Sequence, residues 1–375
     1  MAALMQMLME ELVEEILLRL PPEDIASLLR ASLVCKIWQR ILSGRSFRRR
    51  YSEFHQKPPM LGFICNVFSV NHGYIARFVP TAPSSLSHAN RPGWRAVNAH
   101  HGLVLLNRMP RHYSPRDNEF MVWDPMIGEQ WELPKLPLDS VPSYKKPSVW
   151  NMSMLCAAGT TCNNLRCHPG GPFLVVFVGF NFNHSKMFTC VYSSQAGTWN
   201  HLNSFDRTVP LAPSVLAGNA LYLSFPNTSY VEVLKYNTDT HGIDRSVVHL
   251  PHASLSHSHC LLTSTENGAL GFVTMHELKL YLWSREHDGP DRDARWEQSR
   301  VIELETLLPA ADDRCLTSTD MIMLGFTEGA NVIYLRRNST LFTFDLKSNL
   351  ATKVYEAREI YNAVPYMAFY TPGAC

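Results

Sequence analysis

The chain has 375 residues, which at about 150 residues per domain suggests two or three domains. Hydrophobic residues make up 46% and charged residues 18%, a globular composition that excludes an intrinsically disordered chain. The 34 basic and 33 acidic residues leave a formal net charge of +1, which argues against a protein whose main role is to bind nucleic acid or a membrane surface.

The N-terminal segment has helical periodicity. Apolar residues recur at a spacing of four, and two more widen the stripe: Leu8, Leu12, Ile16 and Leu20, with Val13 and Leu17. Pro21 and Pro22 predict the end of this first helix, because proline lacks the backbone donor and clashes with the preceding turn. Glu23 and Asp24 then favour the start of a second helix, where acidic groups suit the helix dipole.

Two more helices are predicted before residue 56. Ser32 is the expected cap of a third helix, and Gly44 is expected to end it in a left-handed conformation. Phe47, Tyr51 and Phe54 indicate a fourth helix.

These short helices carry more apolar side chains than they can hide from each other, since about fifty residues bury little surface alone. Leu20-Pro21, Val34 and Trp38 are therefore candidates for a surface that faces a partner. The alternative is that they pack against the rest of this chain.

From Pro58 onward the apolar period changes to two, which indicates strands. The predicted strands are 61–70, 103–106, 173–180, 188–192, 220–224, 231–236, 278–283, 332–335 and 341–345. Further strands at 61–80 and 366–371 have no counterpart in the repeat described next.

A degenerate repeat runs through this region. Each copy is a strand that ends in an aromatic residue, a polar turn, and a second strand that closes with Trp or another apolar residue; the turns start at 124, 193, 237, 284 and 345. Units of about forty to sixty residues match the size of a propeller blade. The sequence therefore predicts an all-β propeller of six blades, or of five with an irregular closure. A β-sandwich is the rival, and the repetition favours the propeller.

The nine cysteines are odd in number and scattered, and the N-terminus lacks the features of a signal peptide. The longest apolar run, Phe173 to Phe180, is too short to span a bilayer. The expectation is a reducing compartment, the cytoplasm and/or the nucleus, with free and mostly buried thiols and no membrane contact.

No pattern of residues indicates catalysis or a cofactor. Cys156, Cys162, Cys167 and His168 lack the short C-x2-C spacing of structural zinc sites, and the histidines at 249, 252, 257 and 259 are expected in a loop. No phosphate-binding, dinucleotide or nucleophile motif is present in the sequence. The arginines at 45, 48, 49 and 50 fit a solvated helix face better than a nucleic-acid patch. We therefore expect no catalytic residue, no metal and no cofactor.

The N-terminal helices carry a recognisable motif. Residues 8–25 read LMEELVEEILLRLPPEDI and residues 34–38 read VCKIW. This pattern resembles the F-box, whose members typically read LPxELxxEILxRLP and then VCKxW. Met9 stands where the family usually has proline, which weakens the start of the first helix.

The remainder resembles the C-terminal region of a large plant F-box family that is expanded in grasses. The matching stretches are 47–51, 53–55, 58–63, 123–125, 280–285 and 365–367. The resemblance covers essentially the whole chain. It implies three segments: an F-box over 5–46, a linker with a short helix over 47–60, and an F-box-associated propeller-like recognition domain over 61–371.

The F-box resemblance implies docking on a Skp1-like protein and, through it, on a cullin. The docking residues carried over from the motif are Leu12, Ile16, Leu17, Leu20, Pro21, Ile25, Leu28, Leu29, Val34, Cys35, Trp38 and Ile41. Several of these must form the core of the module itself, and Ile16, Val34 and Ile41 are the ones expected there.

The predicted function is that of a non-catalytic substrate-recognition adaptor of a Skp1–cullin–F-box ubiquitin ligase. Two alternatives remain open: a Skp1-binding regulator without ligase output, and an enzyme built on a propeller. The protein substrate is not indicated by the sequence. Loops on one propeller face are the expected binding region, and the candidates are 107–118, 139–150, 159–172, 226–230 and 285–295.

Overall fold

The structure is a computed structural model of the chain. It describes residues 2–71, 73–81, 90–108, 119–126, 128–137, 149–157, 171–181, 186–200, 203–206, 214–217, 220–226, 230–237, 243–249, 260–264, 269–285, 296–307, 321–327, 331–357 and 359–372. No helix in this part of the chain combines the length and the hydropathy needed to cross a bilayer.

Four helices form the N-terminal module: α1 (Ala2–Leu18), α2 (Ile25–Ser32), α3 (Lys36–Ser43) and α4 (Arg45–His55). The chain leaves the helical conformation around Pro21 and Pro22, as predicted. Asp24 is the N-cap of α2, and its carboxylate accepts a hydrogen bond from the amide of Ser27 at 3.0 Å.

Two predicted helix boundaries are wrong. Ser32 does not cap α3; it is the last residue of α2, and its hydroxyl donates to the carbonyl of Leu29 at 2.7 Å. Gly44 is extended, with φ −70°, and α4 begins at the next residue. Its lack of a side chain still matters, because a Cβ at this position would lie 3.2 Å from the carbonyl oxygen of Ile41.

The strands predicted from the sequence are present except the one over 366–371, because β25 covers Ile360–Met367 and residues 368–371 are not in a strand. The strands begin at Met60. In chain order they are β1 (Met60–Ser69), β2 (Gly73–Pro80), β3 (Asn90–Pro92), β4 (Trp94–His100), β5 (Leu103–Arg108), β6 (Phe120–Trp123), β7 (Gln130–Glu132), β8 (Val149–Cys156), β9 (Phe173–Asn181), β10 (Lys186–Ser193), β11 (Thr198–Trp199), β12 (Asn203–Asp206), β13 (Ser214–Ala217), β14 (Ala220–Pro226), β15 (Tyr230–Asn237), β16 (Ile243–His249), β17 (Cys260–Ser264), β18 (Leu270–His276), β19 (Lys279–Arg285), β20 (Trp296–Glu303), β21 (Met321–Thr327), β22 (Val332–Arg337), β23 (Thr340–Asp345), β24 (Leu350–Glu356) and β25 (Ile360–Met367).

The strands form six antiparallel sheets, the blades of a propeller. Blade 1 has the order β25-β1-β2-β3, blade 2 is β4 to β7, and blade 3 is β8 to β11 with β12 also paired to β10. Blades 4, 5 and 6 are β13 to β16, β17 to β20 and β21 to β24. The six-bladed prediction is confirmed, and the five-bladed and sandwich alternatives are wrong.

The inner strands contact one another in a closed ring. The contacts run from β4 to β8, β13, β17, β21 and β25, and then back to β4. The last strand, β25, pairs with the first, β1, in a register that sets Phe63 opposite Pro365 and Cys65 opposite Ala363. The first and last strands of the propeller thus complete the same blade, and this pairing closes the ring.

The sequence repeat is the outer hairpin of blades 2 to 6. The third strands of these blades end at residues 123, 193, 237, 285 and 345, within a residue of the predicted turns. Gly128 and Gly197 occupy two of these turns with φ of +75° and +67°, a conformation that favours glycine. The outer hairpin of blade 1, β2 with β3, carries no copy of the repeat.

Polar side chains link neighbouring blades near the inner strands. Asn66 is fully buried in blade 1; its Nδ2 donates to the carbonyl of Ala96 in blade 2 at 2.7 Å, and its Oδ1 accepts from the Ala96 amide at 2.7 Å. Asn98 of blade 2 accepts from the Met154 amide of blade 3 at 3.0 Å. These bonds satisfy backbone groups that the blades cannot pair within their own sheets.

Replacing Asn66 tests this linkage. We expect Asn66→Ala to lower the free energy of unfolding by about 2–4 kcal/mol, because it leaves two buried backbone groups of Ala96 unsatisfied. Urea denaturation followed by circular dichroism measures the loss. Asn200→Ala, at an exposed position, is the matched control and should stay within about 0.5 kcal/mol of the unmodified protein. Equal losses in the two variants would contradict the assigned role.

Candidate docking surface on the helical module

The helical module has a small core of its own. Leu17, Leu28 and Leu42, one from each of the first three helices, are fully buried and pack with Phe47 and Tyr51 of α4. The four helices are thus held together by a small number of large side chains.

The apolar stripe of α1 is divided between this core and solvent. Successive residues of a helix are about 100° apart, so Leu12, Ile16 and Met9 lie on one side of the stripe and Val13 and Leu17 on the other. The second side packs into the core. The first side is exposed, at 65% for Leu12 and 59% for Ile16.

A second exposed apolar group lies at the junction of α2 and α3. Leu33 is 83% exposed and Val34 61% exposed, and Cys35 and Ile37 are exposed beside them. We call these four residues, together with Met9, Leu12 and Ile16 of α1, the docking surface. So many exposed apolar side chains on one small module are unusual for a surface without a partner.

The twelve predicted docking residues fall into three classes. Five are exposed: Leu12, Ile16, Pro21, Val34 and Cys35. Four are half-buried: Leu20, Leu29, Trp38 and Ile41. Three are buried: Leu17, Ile25 and Leu28.

The core residues expected within that set are only partly correct. Ile41 packs against the core, but Ile16 and Val34 are exposed, because α3 and α4 approach α1 from the side of Val13 and Leu17. Met9, Leu33 and Ile37 were missed as exposed apolar residues. Their signal was present in the sequence, since each lies within three positions of a predicted docking residue.

Ion pairs inside the module link α1 to α3 and α4. Residues 1–25 carry six acidic and one basic residue, and residues 26–50 carry seven basic and none acidic. Arg50 of α4 pairs with Glu14 at 3.0 Å and also with Glu15, and Arg40 of α3 pairs with Glu10 at 2.6 Å. The arginines at 40 and 50 are therefore matched within the module, which supports the solvated-face interpretation over a nucleic-acid patch.

Hydrogen bonds also shape the loop that follows α1. The bonds that Ser27 donates from its hydroxyl and its amide hold the pKa of the Asp24 carboxyl below its ordinary value. The carboxylate therefore caps α2 as an anion, where it also suits the positive end of the helix dipole.

The module is packed onto the propeller. Ile25 is buried in the same cluster as Val364 and Tyr366 of blade 1, and Leu29 packs against that cluster. Tyr51 lies edge-on to Phe369, with ring centroids 6.0 Å apart, and its hydroxyl donates to the carbonyl of Leu20 at 2.8 Å. The alternative that these helices pack on the rest of the chain thus holds for this side of α2 and α4, while the docking surface stays uncovered.

His55 completes the junction between α4 and the end of α1. Its Nε2 donates to the carbonyl of Leu18 at 2.8 Å, and its ring lies 4.5 Å from the ring of Tyr51, centroid to centroid. Burial raises the pKa of the Tyr51 phenol, so this hydroxyl stays protonated and keeps donating to Leu20.

Among the five cysteines that the structure describes, four agree with the expectation of free thiols and one does not. Cys35 is free and exposed, and Cys65, Cys190 and Cys260 are free and buried. Cys156 is disulfide-bonded, so the expectation is wrong for that residue. Burial raises the pKa of Cys65, Cys190 and Cys260 to about 12.

Most of the other predicted sites lie outside the described residues. This is true of Cys162, Cys167 and His168, of the histidines at 252, 257 and 259, and of most of the five candidate substrate loops. Within the described part of the chain, no group of three or more His, Cys, Asp or Glu side chains is placed to hold a metal ion.

Two family models match the chain. One describes the F-box domain and matches residues 7–50. The other is described as "F-box protein AT5G49610-like, beta-propeller" and matches residues 112–373. The name is of a plant type, and it does not separate grass proteins from those of other plants. No curated protein shows significant sequence similarity to the chain.

Solved structures resemble the chain only distantly. The Dos1 propeller has a TM-score of 0.39 at 9% identity, over 80% of this chain and 68% of that one. A protein from Lactobacillus plantarum has a TM-score of 0.44 at 9% identity, over 80% and 82%. The GH93 α-L-arabinofuranosidase of Fusarium graminearum, solved with arabinobiose, has a TM-score of 0.40 at 11% identity, over 81% and 87%. The blade count rests on the strand pairing described above.

Substitutions of two leucines in the module are expected to have very different effects on stability. Leu28→Ala should lower the stability of the module by about 2–5 kcal/mol, because Leu28 is fully buried. Leu33→Ala should change it by less than about 0.5 kcal/mol, because Leu33 is 83% exposed. Thermal unfolding of both variants measures the difference. A large loss with Leu33→Ala would mean that the docking surface is part of the core.

Thiol labelling tests the burial of the cysteines. At pH 8, Cys35 should react with iodoacetamide much faster than Cys65, Cys190 and Cys260, since a thiol with a pKa of about 12 is almost wholly protonated and is also shielded. Peptide mapping by mass spectrometry gives the four rates, and labelling in urea is the control. Rapid labelling of a buried cysteine in the folded protein would contradict the assignment.

Proposed function

Because the chain belongs to the F-box protein AT5G49610-like β-propeller family, we propose that it is a substrate-recognition adaptor of an SCF-type ubiquitin ligase. In this proposal the helical module docks on a Skp1-like protein, which connects it to a cullin, and the propeller binds a protein substrate. The adaptor performs no chemistry itself; it raises the local concentration of the substrate near the ubiquitin donor.

The observation that carries the proposal is the docking surface. Its exposed residues are contributed by α1 and by the junction of α2 and α3, which are the segments that match the F-box motif. An amphipathic helix with one exposed apolar side is suited to a groove or helix of a partner protein. Burying a leucine-sized side chain contributes about 1.5–3 kcal/mol, so several such side chains together can offset part of the cost of association.

The proposed docking residues have different roles according to their exposure. Leu12, Ile16, Pro21, Val34 and Cys35 are expected to contact the partner directly, because they are both motif positions and exposed. Leu17, Ile25 and Leu28 act indirectly, since they hold the helices that present the contacting residues. Leu20, Leu29, Trp38 and Ile41 are half-buried at the edges of the two groups.

The proposed domain boundaries are those expected from the sequence. We keep an F-box over 5–46, a connecting segment over 47–60 and a recognition domain over 61–371. The connecting segment is largely α4, whose Tyr51 and His55 hold the end of α1. The proposed compartment is the cytoplasm or the nucleus, supported by four free cysteines; the disulfide at Cys156 is the observation that speaks against a reducing compartment.

A triple substitution tests the docking assignment. Leu12→Ala, Ile16→Ala and Val34→Ala together should weaken binding to a Skp1-like protein by about 100-fold, because each truncation of a central contact costs about 1 kcal/mol or more. The three positions are exposed, so the fold should be retained. Isothermal titration calorimetry with the full chain measures the affinity. Leu20 and Trp38 are avoided because both pack against the module's core.

The matched control is a triple substitution of exposed apolar residues on the propeller. Val70→Ala, Val301→Ala and Leu350→Ala remove similar side chains, exposed at 91%, 42% and 62%, and should leave the affinity unchanged. Retained binding by the docking variant, with circular dichroism unchanged, would refute the assignment. A reconstituted ubiquitination assay with the unmodified chain then separates an adaptor from a Skp1-binding regulator without ligase output.

A further inference from the structure

Three aromatic side chains form an exposed cluster in blade 1, which we call the aromatic corner: Phe68 of β1, Tyr74 of β2 and Tyr361 of β25. Their ring centroids are 5.2–6.4 Å apart, and each pair of rings is inclined by 61–75°. Phe68 is 40% exposed, Tyr361 is 48% exposed and Tyr74 is half-buried. None of the three rings belongs to the buried apolar clusters of blade 1, so solvent reaches aromatic surface that the core does not use.

The aromatic corner lies at the end of the propeller opposite to the helical module. β1 begins at Met60, which pairs with Met367 next to the module, and it extends for 10 residues. At about 3.3 Å per residue, the two ends of β1 are about 30 Å apart. Phe68, Tyr74 directly across from it and the first residues of β25 therefore belong to the far end face. A ligand bound there does not meet a partner that is bound to the module.

The faces of aromatic rings carry partial negative charge and attract cations. Elsewhere in the propeller, arginines of the chain itself occupy such faces. The guanidinium carbon of Arg91 lies 4.6 Å from the ring centroid of Trp123. That of Arg95 lies 5.3 Å from the ring centroid of Trp150. In contrast, no lysine or arginine of the described residues lies over a ring of the aromatic corner, so these rings have no cation from within that part of the chain.

The charge next to the aromatic corner is negative on balance. Glu359 is exposed, its Oε2 accepts from the hydroxyl of Tyr361 at 3.3 Å, and no lysine or arginine of the described residues pairs with it. Arg336 of blade 6 acts in the opposite sense; it is half-buried, and its Nη1 donates to the carbonyl of Ile360. Partial burial and then the Glu359 carboxylate raise the pKa of the Tyr361 phenol, and the opposing effect of Arg336 is smaller. Both the rings and the local charge therefore favour a cationic ligand.

We propose that the aromatic corner binds a basic segment of the protein substrate, with one arginine side chain packed on the rings of Phe68 and Tyr361 and paired with the carboxylate of Glu359. The inference rests on the proposed function, and it names the substrate chemistry. Arginine suits the site better than lysine does, because its planar and weakly hydrated guanidinium can pack on a ring and donate to a carboxylate at the same time.

Peptide binding by the full chain tests the proposal. The probe is a heptapeptide with capped ends and a central arginine among glycines and serines, and its affinity is measured by saturation-transfer difference NMR. Two comparison peptides carry citrulline or glutamate in place of arginine. The arginine peptide should bind at least about 5-fold more tightly than the citrulline peptide, because citrulline has nearly the same planar shape without the charge. The glutamate peptide should not bind.

Two pairs of variants locate the binding. Glu359→Gln should weaken binding of the arginine peptide by about 5-fold, since it removes the charge and keeps the size of the side chain. Its matched control is Glu297→Gln, at an exposed position of blade 5, which should leave binding unchanged. Phe68→Leu should weaken binding by about 3-fold, because it removes a ring face. Its control is Phe54→Leu, at a 52% exposed position of the module. If Phe68→Leu does not fold, the glutamate pair decides the outcome.

The proposal is overturned by an absence of binding by the arginine peptide, by equal binding of the citrulline peptide, or by equal effects of Glu359→Gln and Glu297→Gln. Binding of a Skp1-like protein is measured on the same preparations. Skp1 binding without peptide binding would reject the aromatic corner as a site and leave the adaptor function standing. Peptide binding without Skp1 binding would support the aromatic corner as a site and reject the adaptor function.

Discussion

The pairing of β1 with β25 is the constraint on which the rest of the structure depends. It joins residues about 300 positions apart in the chain, as in the pair Ile64 and Val364, and it closes the ring of inner strands. It also fixes the helical module, because α4 ends a few residues before β1 and Phe369 follows β25 directly. One long-range pairing therefore determines both the shape of the propeller and the place of the docking surface.

This dependence explains which parts of the fold the sequence predicts. The outer hairpins of blades 2 to 6 are local, and each combines an aromatic strand end with a polar turn, as at Trp123-Asp124. A short stretch of sequence is therefore enough to recognise each of these hairpins. The closing pair β1–β25 has no local signal, since its partners lie at opposite ends of the chain. The inner strands are also difficult to predict, because residues such as Asn98 and Ser153 serve contacts between blades.

The docking surface also could be predicted only in part from the sequence. Periodicity predicts the apolar stripe of α1, but it does not determine which side of the stripe is buried. That is decided by tertiary contacts: Leu17 is buried with Leu28, Leu42 and Phe47, and Val13 packs against the same cluster, which leaves Leu12 and Ile16 on the outer side. The errors at Ser32 and Gly44 have a related cause, because packing sets where short helices begin and end. The observed N-cap of α3 is Cys35, whose side chain makes no capping hydrogen bond and gives no local signal.

The junction between the two parts determines how their roles can be separated experimentally. Removing residues 1–55 would take away Tyr51, Ile25 and His55 together with the docking surface, and it would expose the propeller surface around Phe369 and Tyr366. A truncated chain would then differ from the intact one in apolar surface as well as in partner binding, and its captured proteins would reflect both changes. Substitutions on the exposed side of α1 avoid this, because Leu12 and Ile16 contribute to the surface without contributing to the core.

The contacts between the module and the propeller also restrict their relative movement. The module contacts the propeller through the edge-on rings of Tyr51 and Phe369 and through the apolar cluster that Ile25 shares with Val364 and Tyr366, and these contacts restrict how far it can pivot. Under the proposed function, a partner bound at the docking surface would therefore have a set orientation to the blades.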